Sequence, residues 1–140
     1  MNRKTFFCLT ALLAFGGYGY GQSADSLDIK IGQMILIGFP GSKVDDKVLE
    51  EIRQGKVGSI IIFEKNIPAK NSFAELKKIT WTYQHTAPIP LFISIDQEGG
   101  KVNRLREKYG FPRSVSAAQL GNFTLDSVQF YAETTAATLA

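Results

Sequence analysis

The chain has 140 residues, of which 44% are hydrophobic and 21% are charged, and its formal net charge is +3. This length suits one ordinary domain with a hydrophobic core, and the composition is typical of a globular protein. Acidic and basic residues are interspersed, and two of the basic ones lie in a leader that we expect to be removed. The charge therefore gives no reason to expect binding to nucleic acid or to an anionic membrane surface.

Residues 1–21 have the pattern of a secretory signal peptide. Arg3 and Lys4 precede the apolar run Phe6–Phe15, and the small residues of Gly19–Gly21 follow as a cleavage region. The apolar run is too short to span a bilayer comfortably, which argues against the alternative of an uncleaved anchor. We therefore expect an exported protein that begins at Gln22 after cleavage, without distinguishing the periplasm from the medium.

Cysteine and histidine are too scarce to indicate a metal site. The only cysteine, Cys8, lies in the leader, so the mature chain would have no thiol for a disulfide, a zinc site or a nucleophile. The only histidine, His85, has no acid or second histidine at ligand spacing, and we expect it on the surface near a helix end. No metal or organic cofactor is predicted.

Strands and helices are predicted to alternate along the mature chain. Three apolar runs predict strands buried on both faces, over residues 34–39, 59–63 and 91–95. A helix opening with the capping-box spacing of Ser42–Asp45 and stopping near Gly55 separates the first two strands. A second helix runs from Asn71 and Ser72 to before Pro88, and a third begins at Leu125.

The apolar positions of each helix predict the side that faces the core. In the first helix they are Val44, Val48, Leu49 and Ile52, and in the second they are Phe73, Leu76, Ile79 or Thr80, and Tyr83. We also interpret Trp81 as a core residue rather than as a platform on which a sugar ring stacks.

Alternation at this spacing predicts an α/β fold with a parallel sheet. Three such units fit part of an open doubly wound sheet or the first three or so β/α units of a (β/α)₈ barrel. A whole barrel takes about 250 residues, so the second interpretation requires the chain to be a fragment. The last predicted helix has no residue that would stop it, which favours this interpretation. No linker divides residues 22–140.

The candidate site follows the third strand. Asp96 stands at the carboxyl end of a predicted parallel strand, where α/β folds build their sites, and Gly99 and Gly100 allow the backbone to turn. Asp96 could brace the loop or accept hydrogen bonds from the hydroxyls of a sugar. Arg104, further along this loop, could be a surface ion-pair partner or could bind an oxygen-rich ligand.

The other residues of this loop are interpreted as supporting it. Glu98 could be a general acid, but we assign it a structural role, in which it holds the loop or pairs with Lys101 or Arg104. Paired glycines by themselves indicate only a turn, and the spacing of a phosphate-binding loop is missing.

These residues together resemble glycoside hydrolase family 3, in its β-N-acetylglucosaminidase branch. The most specific part is Asp-x-Glu-Gly-Gly-(Arg/Lys)-Val-x-Arg, which runs from Asp96 to Arg104. Further matching segments are Ile31–Met34, Gly55–Phe63, Asn66–Ile67, Pro88–Ile95, Phe111–Pro112 and Ser116–Gly121. Lys101 replaces the usual arginine of the family, and Val115 stands where many members have proline.

The resemblance implies a (β/α)₈ barrel and retaining, exo-acting removal of terminal β-linked N-acetylglucosamine from cell-wall or chitin-type saccharides. It implies that Asp96 and Arg104 bind the sugar. In this branch the nucleophile is an aspartate late in the barrel and the acid/base is a histidine paired with an aspartate, and neither matches a residue here. We therefore expect no catalytic residue in this chain, no activity of the chain alone, and exposed strand edges prone to aggregation.

Two alternatives remain beside this prediction. One is a β-glucosidase or β-xylosidase of the same family. The other is a non-catalytic exported domain that binds carbohydrate or another partner. The oligomeric state is not predicted.

Overall fold

The computed structural model describes residues 26–140, so the predicted signal peptide lies outside the described residues. The five helices of this part are α1 (Ser26–Gln33), α2 (Asp46–Arg53), α3 (Ser72–Thr86), α4 (Ala117–Leu120) and α5 (Leu125–Leu139). The three strands are β1 (Leu36–Ile37), β2 (Ser59–Ile62) and β3 (Phe92–Ile95), and short 3₁₀ turns occupy Glu64–Asn66 and Glu107–Tyr109. Within these residues no helix is long and apolar enough to cross a membrane.

The three strands form one parallel sheet in the order β1-β2-β3. Leu36 pairs with Ser59, which in turn pairs with Phe92, and Ile60 pairs with Ile93. Since strands that follow one another lie side by side in parallel, the predicted α/β class and the strand–helix alternation are confirmed.

One face of the sheet carries the core. Ile60 and Ile62 of β2 are buried there, together with Ile52 of α2 and with Ile79 and Tyr83 of α3. Both helices lie on this side of the sheet, and their buried residues belong to the apolar sides that the sequence predicted to face the core.

The opposite face of the sheet is open in the described part of the chain, so the prediction of strands buried on both faces is wrong. Leu36 is 51% exposed and Phe92 is 76% exposed, and both lie in the same register row of this face. An apolar run predicts a strand between two covering layers, and here a covering layer is present on one side only.

The first strand is also shorter than predicted. Met34 and Ile35 donate backbone hydrogen bonds to the carbonyl oxygens of Ile31 and Gly32, both at 3.0 Å, and so close the end of α1. Only Leu36 and Ile37 are left to pair with β2. Apolar composition alone did not distinguish the helix end from the strand.

The cap of α2 is Asp45 and not Ser42. The Asp45 carboxylate accepts hydrogen bonds from the backbone N–H groups of Lys47 at 3.1 Å and of Val48 at 3.0 Å. At the other end Gly55 has a φ of +72°, and its N–H donates to the carbonyl of Ile52. The predicted helix stop at Gly55 is therefore confirmed, and it has the geometry of a Schellman motif.

Two aromatic residues of α3 do not lie in the core as predicted. Trp81 is 58% exposed and stacks on the His85 ring, with centroids 3.8 Å apart. Trp81 is two residues from the buried Ile79 and two residues from the buried Tyr83. In a helix this spacing directs its side chain away from the core. Phe73 is also more than half exposed and contacts the ring of Phe111.

Candidate functional site

The carboxyl ends of the parallel strands meet at one edge of the sheet, and a buried asparagine ties two of them together. The Nδ2 of Asn66 donates to the carbonyl oxygens of Phe39 and Gly41, each at 2.8 Å. Its Oδ1 accepts from the N–H of Phe63 at 2.8 Å. The segments that follow β1 and β2 are therefore fixed relative to each other beside the end of β3.

Asp96 and Arg104 come together at this edge. The Oδ2 of Asp96 and the Nη2 of Arg104 are 3.8 Å apart, with the Asp96 side chain 53% exposed and the Arg104 side chain 23% exposed. The guanidinium also lies over the Phe63 ring, 5.7 Å from its centroid. An open carboxylate thus stands beside a cation that packs against the protein, and both groups can form charge-assisted hydrogen bonds.

The loop between these two residues, 97–103, turns through two glycines and is called the glycine loop below. Gly99 and Gly100 have φ values of +75° and +59°, and the N–H of Glu98 donates to the carbonyl of Val102 at 2.9 Å. A Cβ atom at position 99 would stand 2.2 Å from the carbonyl oxygen of Val115. Glycine is therefore required at position 99 both by its conformation and by the backbone that approaches it.

Glu98 does not form the ion pair expected for it. Its side chain is exposed, as is that of Lys101, and within residues 26–140 neither pairs with an opposite charge. The guanidinium of Arg104 turns towards Asp96, which leaves the Glu98 carboxylate at the tip of the loop facing solvent. Its contact with the loop is made by its backbone N–H, so of the two structural roles expected for Glu98 the ion pair is not formed and the loop is held through the backbone.

Gln97, which no sequence pattern indicated, makes four side-chain hydrogen bonds around this loop. The Oε1 of Gln97 accepts from the N–H groups of Arg104 at 2.9 Å and of Leu105 at 3.0 Å. Its Nε2 donates to the Oδ1 of Asn103 at 2.7 Å and to the Oγ of Ser114 at 3.3 Å. The only signal in the sequence was a polar residue directly after the strand-end aspartate.

A cluster of charges around Glu64 connects the end of β2 to the segment after Arg104. The Glu64 carboxylate contacts the guanidinium of Arg106 at 3.0 Å and the Nζ of Lys108 at 2.6 Å, and it accepts from the Tyr109 hydroxyl at 3.3 Å. The Lys108 hydrogen bond is the main cause that holds the pKa of Glu64 below its usual value. The same hydrogen bond raises the pKa of Lys108.

Two concave spaces lie near the loop, but neither contains the Asp96–Arg104 pair. One, of about 280 Å³, lies between β3, α3 and the end of α5. The other, of about 390 Å³, lies between the glycine loop and α5 and is lined by Gln97 and Tyr131 among others. We place the candidate site at the pair and not in these spaces, because it is the pair that offers convergent polar groups. Residues 26–140 contain no group of three or more His, Cys, Asp or Glu side chains that could hold a metal ion.

Residues 26–140 match the family model "Glycosyl hydrolase family 3 N terminal domain", which covers most of the chain. The chain therefore belongs to glycosyl hydrolase family 3.

Curated relatives of this chain include two bacterial proteins named beta-hexosaminidase. That of Xanthomonas campestris pv. campestris (strain B100) is 33% identical over 76 residues, and that of Xylella fastidiosa (strain M23) is 29% identical over 76 residues. In both cases the match covers 54% of this chain and 22% of the relative. The chain thus spans less than a quarter of the length of the curated relatives it matches.

Solved structures with a similar fold come from the same family. A glycoside hydrolase family 3 β-N-acetylglucosaminidase from Paenibacillus sp. str. FPU-7 matches with a TM-score of 0.61 and 35% identity, over 69% of this chain and 18% of that one. Native NagZ from Neisseria gonorrhoeae matches with a TM-score of 0.55 and 25% identity, over 62% of this chain and 24% of that one. The mixed helix and parallel-sheet fold of residues 26–140 is therefore that of the family's N-terminal domain.

Proposed function

We propose that the protein to which this chain belongs is an exo-acting, retaining glycoside hydrolase. Its proposed substrates are cell-wall or chitin-type saccharides, from which it removes terminal β-linked N-acetylglucosamine. The observation that carries this proposal is the Asp96–Arg104 pair at the carboxyl edge of the sheet. The names of the relatives, beta-hexosaminidase and β-N-acetylglucosaminidase, supply the sugar.

The chemistry of the pair suits a sugar. A carboxylate has lone pairs enough to accept hydrogen bonds from two neighbouring hydroxyls, and such charge-assisted bonds are stronger than neutral ones. The guanidinium of Arg104 holds its N–H donors in a fixed plane, so it can donate to a sugar oxygen beside the carboxylate. We assign Asp96 and Arg104 to substrate binding, and Gly99, Gly100 and the backbone of Glu98 and Lys101 to the support of the loop.

For the fold we propose the first three β/α units of a (β/α)₈ barrel. The support is the parallel order of the strands, the helices on one face, and the open face of Leu36 and Phe92, which would line the barrel interior. The edge of β3 would then be where the next strand pairs. Without that strand an exposed parallel edge is a site for aggregation.

Catalysis would need residues beyond those described. Retaining hydrolysis takes a nucleophile and an acid/base on opposite sides of the glycosidic bond. Asp96 is proposed to bind hydroxyls, and Glu98 lies on the same loop rather than across from it. We therefore propose that residues 1–140 alone are inactive and that a longer protein completes the site.

We also propose that residues 1–21 are a signal peptide and that residues 22–140 begin the barrel domain of an exported protein. The support is the basic start, apolar run and small residues of the leader. Carbohydrate is the one partner proposed.

The experiment is hydrolysis of a chromogenic β-N-acetylglucosaminide by the product of the whole reading frame and by this chain, with a β-glucoside as the competing substrate. We expect the longer protein alone to release the chromophore, and to do so from the N-acetylglucosaminide only. Asp96→Ala should raise KM about 30-fold, since it removes charge-assisted hydrogen bonds. Preference for the β-glucoside would favour the other branch of the family, and binding of saccharide without hydrolysis would favour the non-catalytic domain.

A further inference from the structure

Gln97 directly follows Asp96, and its side chain forms hydrogen bonds with the segment that follows the two glycines. Both ends of its amide are used: the oxygen accepts from the backbone of Arg104 and Leu105, and the nitrogen donates to Asn103 and Ser114. A side-chain amide has one accepting and one donating end, and here every direction is filled by this chain. Gln97 is therefore not available to contact a ligand itself.

Arg104 has few contacts of its own to hold it. Its guanidinium has the 3.8 Å approach to Asp96 and the face of the Phe63 ring, and its Nε is buried without a hydrogen-bond partner within residues 26–140. A separation of 3.8 Å is too long for a strong hydrogen bond. The placement of the guanidinium therefore depends on where the backbone of Arg104 is fixed, and Gln97 fixes it.

Resting on the function proposed above, we propose that Gln97 is a positioning residue for sugar binding. Gln97 directly follows Asp96 in the chain, and its side chain holds the backbone of Arg104. The carboxylate and the guanidinium are therefore held in fixed relative positions before the ligand binds. Preorganisation lowers the entropy cost of ordering the site when the ligand binds, and it therefore increases affinity. Only the side-chain amides of Gln and Asn can both accept from two N–H groups and donate to two oxygens, and Gln is the longer of the two.

The test uses the full-length enzyme with Gln97→Met, which keeps the length of the side chain and removes both hydrogen-bonding ends. We expect KM for the chromogenic β-N-acetylglucosaminide to rise about 10-fold while kcat stays within about threefold, and the inhibition constant of free N-acetylglucosamine to rise in parallel. The matched control is Gln54→Met, because Gln54 is exposed and within residues 26–140 its side chain hydrogen-bonds only to Glu50. That variant should match the wild type.

A double-mutant cycle separates positioning from a merely structural role. If Gln97 acts through Arg104, Gln97→Met should add less than about twofold to KM in an Arg104→Ala background. An effect of full size in that background, or a fall in kcat as large as the rise in KM, would overturn the proposal. So would an unchanged KM in the single variant when Arg104→Ala raises it.

Gln97→Glu keeps the test decisive if the methionine variant does not fold. The carboxylate still accepts from the N–H groups of Arg104 and Leu105, but it loses the donation to Asn103 and Ser114. We expect a rise in KM of about threefold that disappears in the Arg104→Ala background. No rise, or a rise that persists there, contradicts the proposal. A wild-type enzyme inactive on the N-acetylglucosaminide but active on another glycoside would instead refute the proposed function.

Discussion

The hydroxyl of Tyr83 accepts a hydrogen bond from the backbone N–H of Asp45 at 2.9 Å, across 38 residues of sequence. Asp45 is the residue whose carboxylate caps α2, and Tyr83 is fully buried in α3. The ring of Tyr83 also meets that of Phe39 edge to face, with centroids 5.3 Å apart. One side chain thus joins both helices of the core to the segment that follows β1.

Tyr83→Phe tests this link while keeping the ring. We expect a loss of about 1 kcal/mol in the free energy of unfolding, since the Asp45 N–H loses its acceptor in a partly buried place. Urea titration of the full-length protein measures it. Tyr131→Phe on α5 is the control, because the Tyr131 hydroxyl has no hydrogen-bond partner in the described part of the chain. Its free energy of unfolding should fall by less than about 0.5 kcal/mol. Equal losses would contradict the link.

Burial is the main cause that raises the pKa of Tyr83 above its usual value of 10.0. A group whose pKa is raised on folding contributes stability that is complete below its unfolded pKa and is lost as the pH rises through the folded value. The wild type should therefore lose its advantage over the Tyr83→Phe variant only above pH 10.0.

Gly99, in the loop after β3, and Gly110, after the second 3₁₀ turn, both have positive φ and together allow steric contact to be separated from backbone conformation. Gly99→Ala places a Cβ atom 2.2 Å from the Val115 carbonyl oxygen at a φ of +75°, whereas Gly110→Ala, at a φ of +83°, meets nothing within 4 Å. We expect Gly110→Ala to cost about 1 kcal/mol and Gly99→Ala more than about 3 kcal/mol. Calorimetric unfolding midpoints measure both. Similar shifts would mean that the Val115 backbone can move away.

The buried hydrogen bonds of Asn66 at the ends of β1 and β2 can be tested by substitution. Asn66→Ala removes three hydrogen bonds from a fully buried side chain and should cost about 3 kcal/mol. Asn66→Asp should be at least as harmful at neutral pH, because a carboxylate would face the carbonyl oxygens of Phe39 and Gly41. Asn122→Ala, which removes one exposed hydrogen bond to the Ala118 carbonyl, is the control and should cost under about 1 kcal/mol. Urea titrations in which the three variants lose equal stability would contradict the role of Asn66.

The sequence predicted the features that depend on local pattern. Val48 and Ile52 repeat at helical spacing and are buried, and Asp96 follows a run of β-branched and aromatic residues and stands at a strand end. The capping-box spacing of Ser42 and Asp45 predicted a cap at Ser42, whereas the cap is Asp45. Tertiary contacts decided it, since the Asp45 backbone is held by Tyr83.

The features that were missed depend on contacts between distant segments. The role of Gln97 rests on Asn103, Arg104, Leu105 and Ser114, and no local pattern indicates that these lie around one amide. The exposure of Phe92 depends on which elements cover the sheet, and this cannot be read from an apolar run. Trp81 could have been placed correctly, because it lies on the opposite side of the helix from Ile79 and Tyr83.

Glu64 gives a prediction about acid stability. Hydrogen bonding to Lys108, followed by the charges of Arg106 and Lys108, holds its pKa below the usual value of 4.5. A group whose pKa is lowered on folding contributes stability that is present above its unfolded pKa and is lost as the pH falls through the folded value. The contribution of Glu64 should therefore be constant above about pH 4.5 and should disappear below it.

Glu64→Gln tests this by removing the titrating group and keeping the shape. We expect the unfolding temperature of the variant to lie below that of the wild type at pH 7, and the gap to close as the pH is lowered past 4.5. Added salt should narrow the gap at pH 7, because Arg106 and Lys108 are partly exposed and their attraction to Glu64 is screened. Glu107→Gln is the control: Glu107 lies in the same segment and forms no ion pair within residues 26–140, so no pH-dependent gap should appear. A Glu64→Gln gap that stays constant from pH 7 to pH 3 would show that the carboxylate acts by shape and hydrogen bonding alone. In that case the charges of Arg106 and Lys108 would not be what holds the segment after Arg104 against the end of β2.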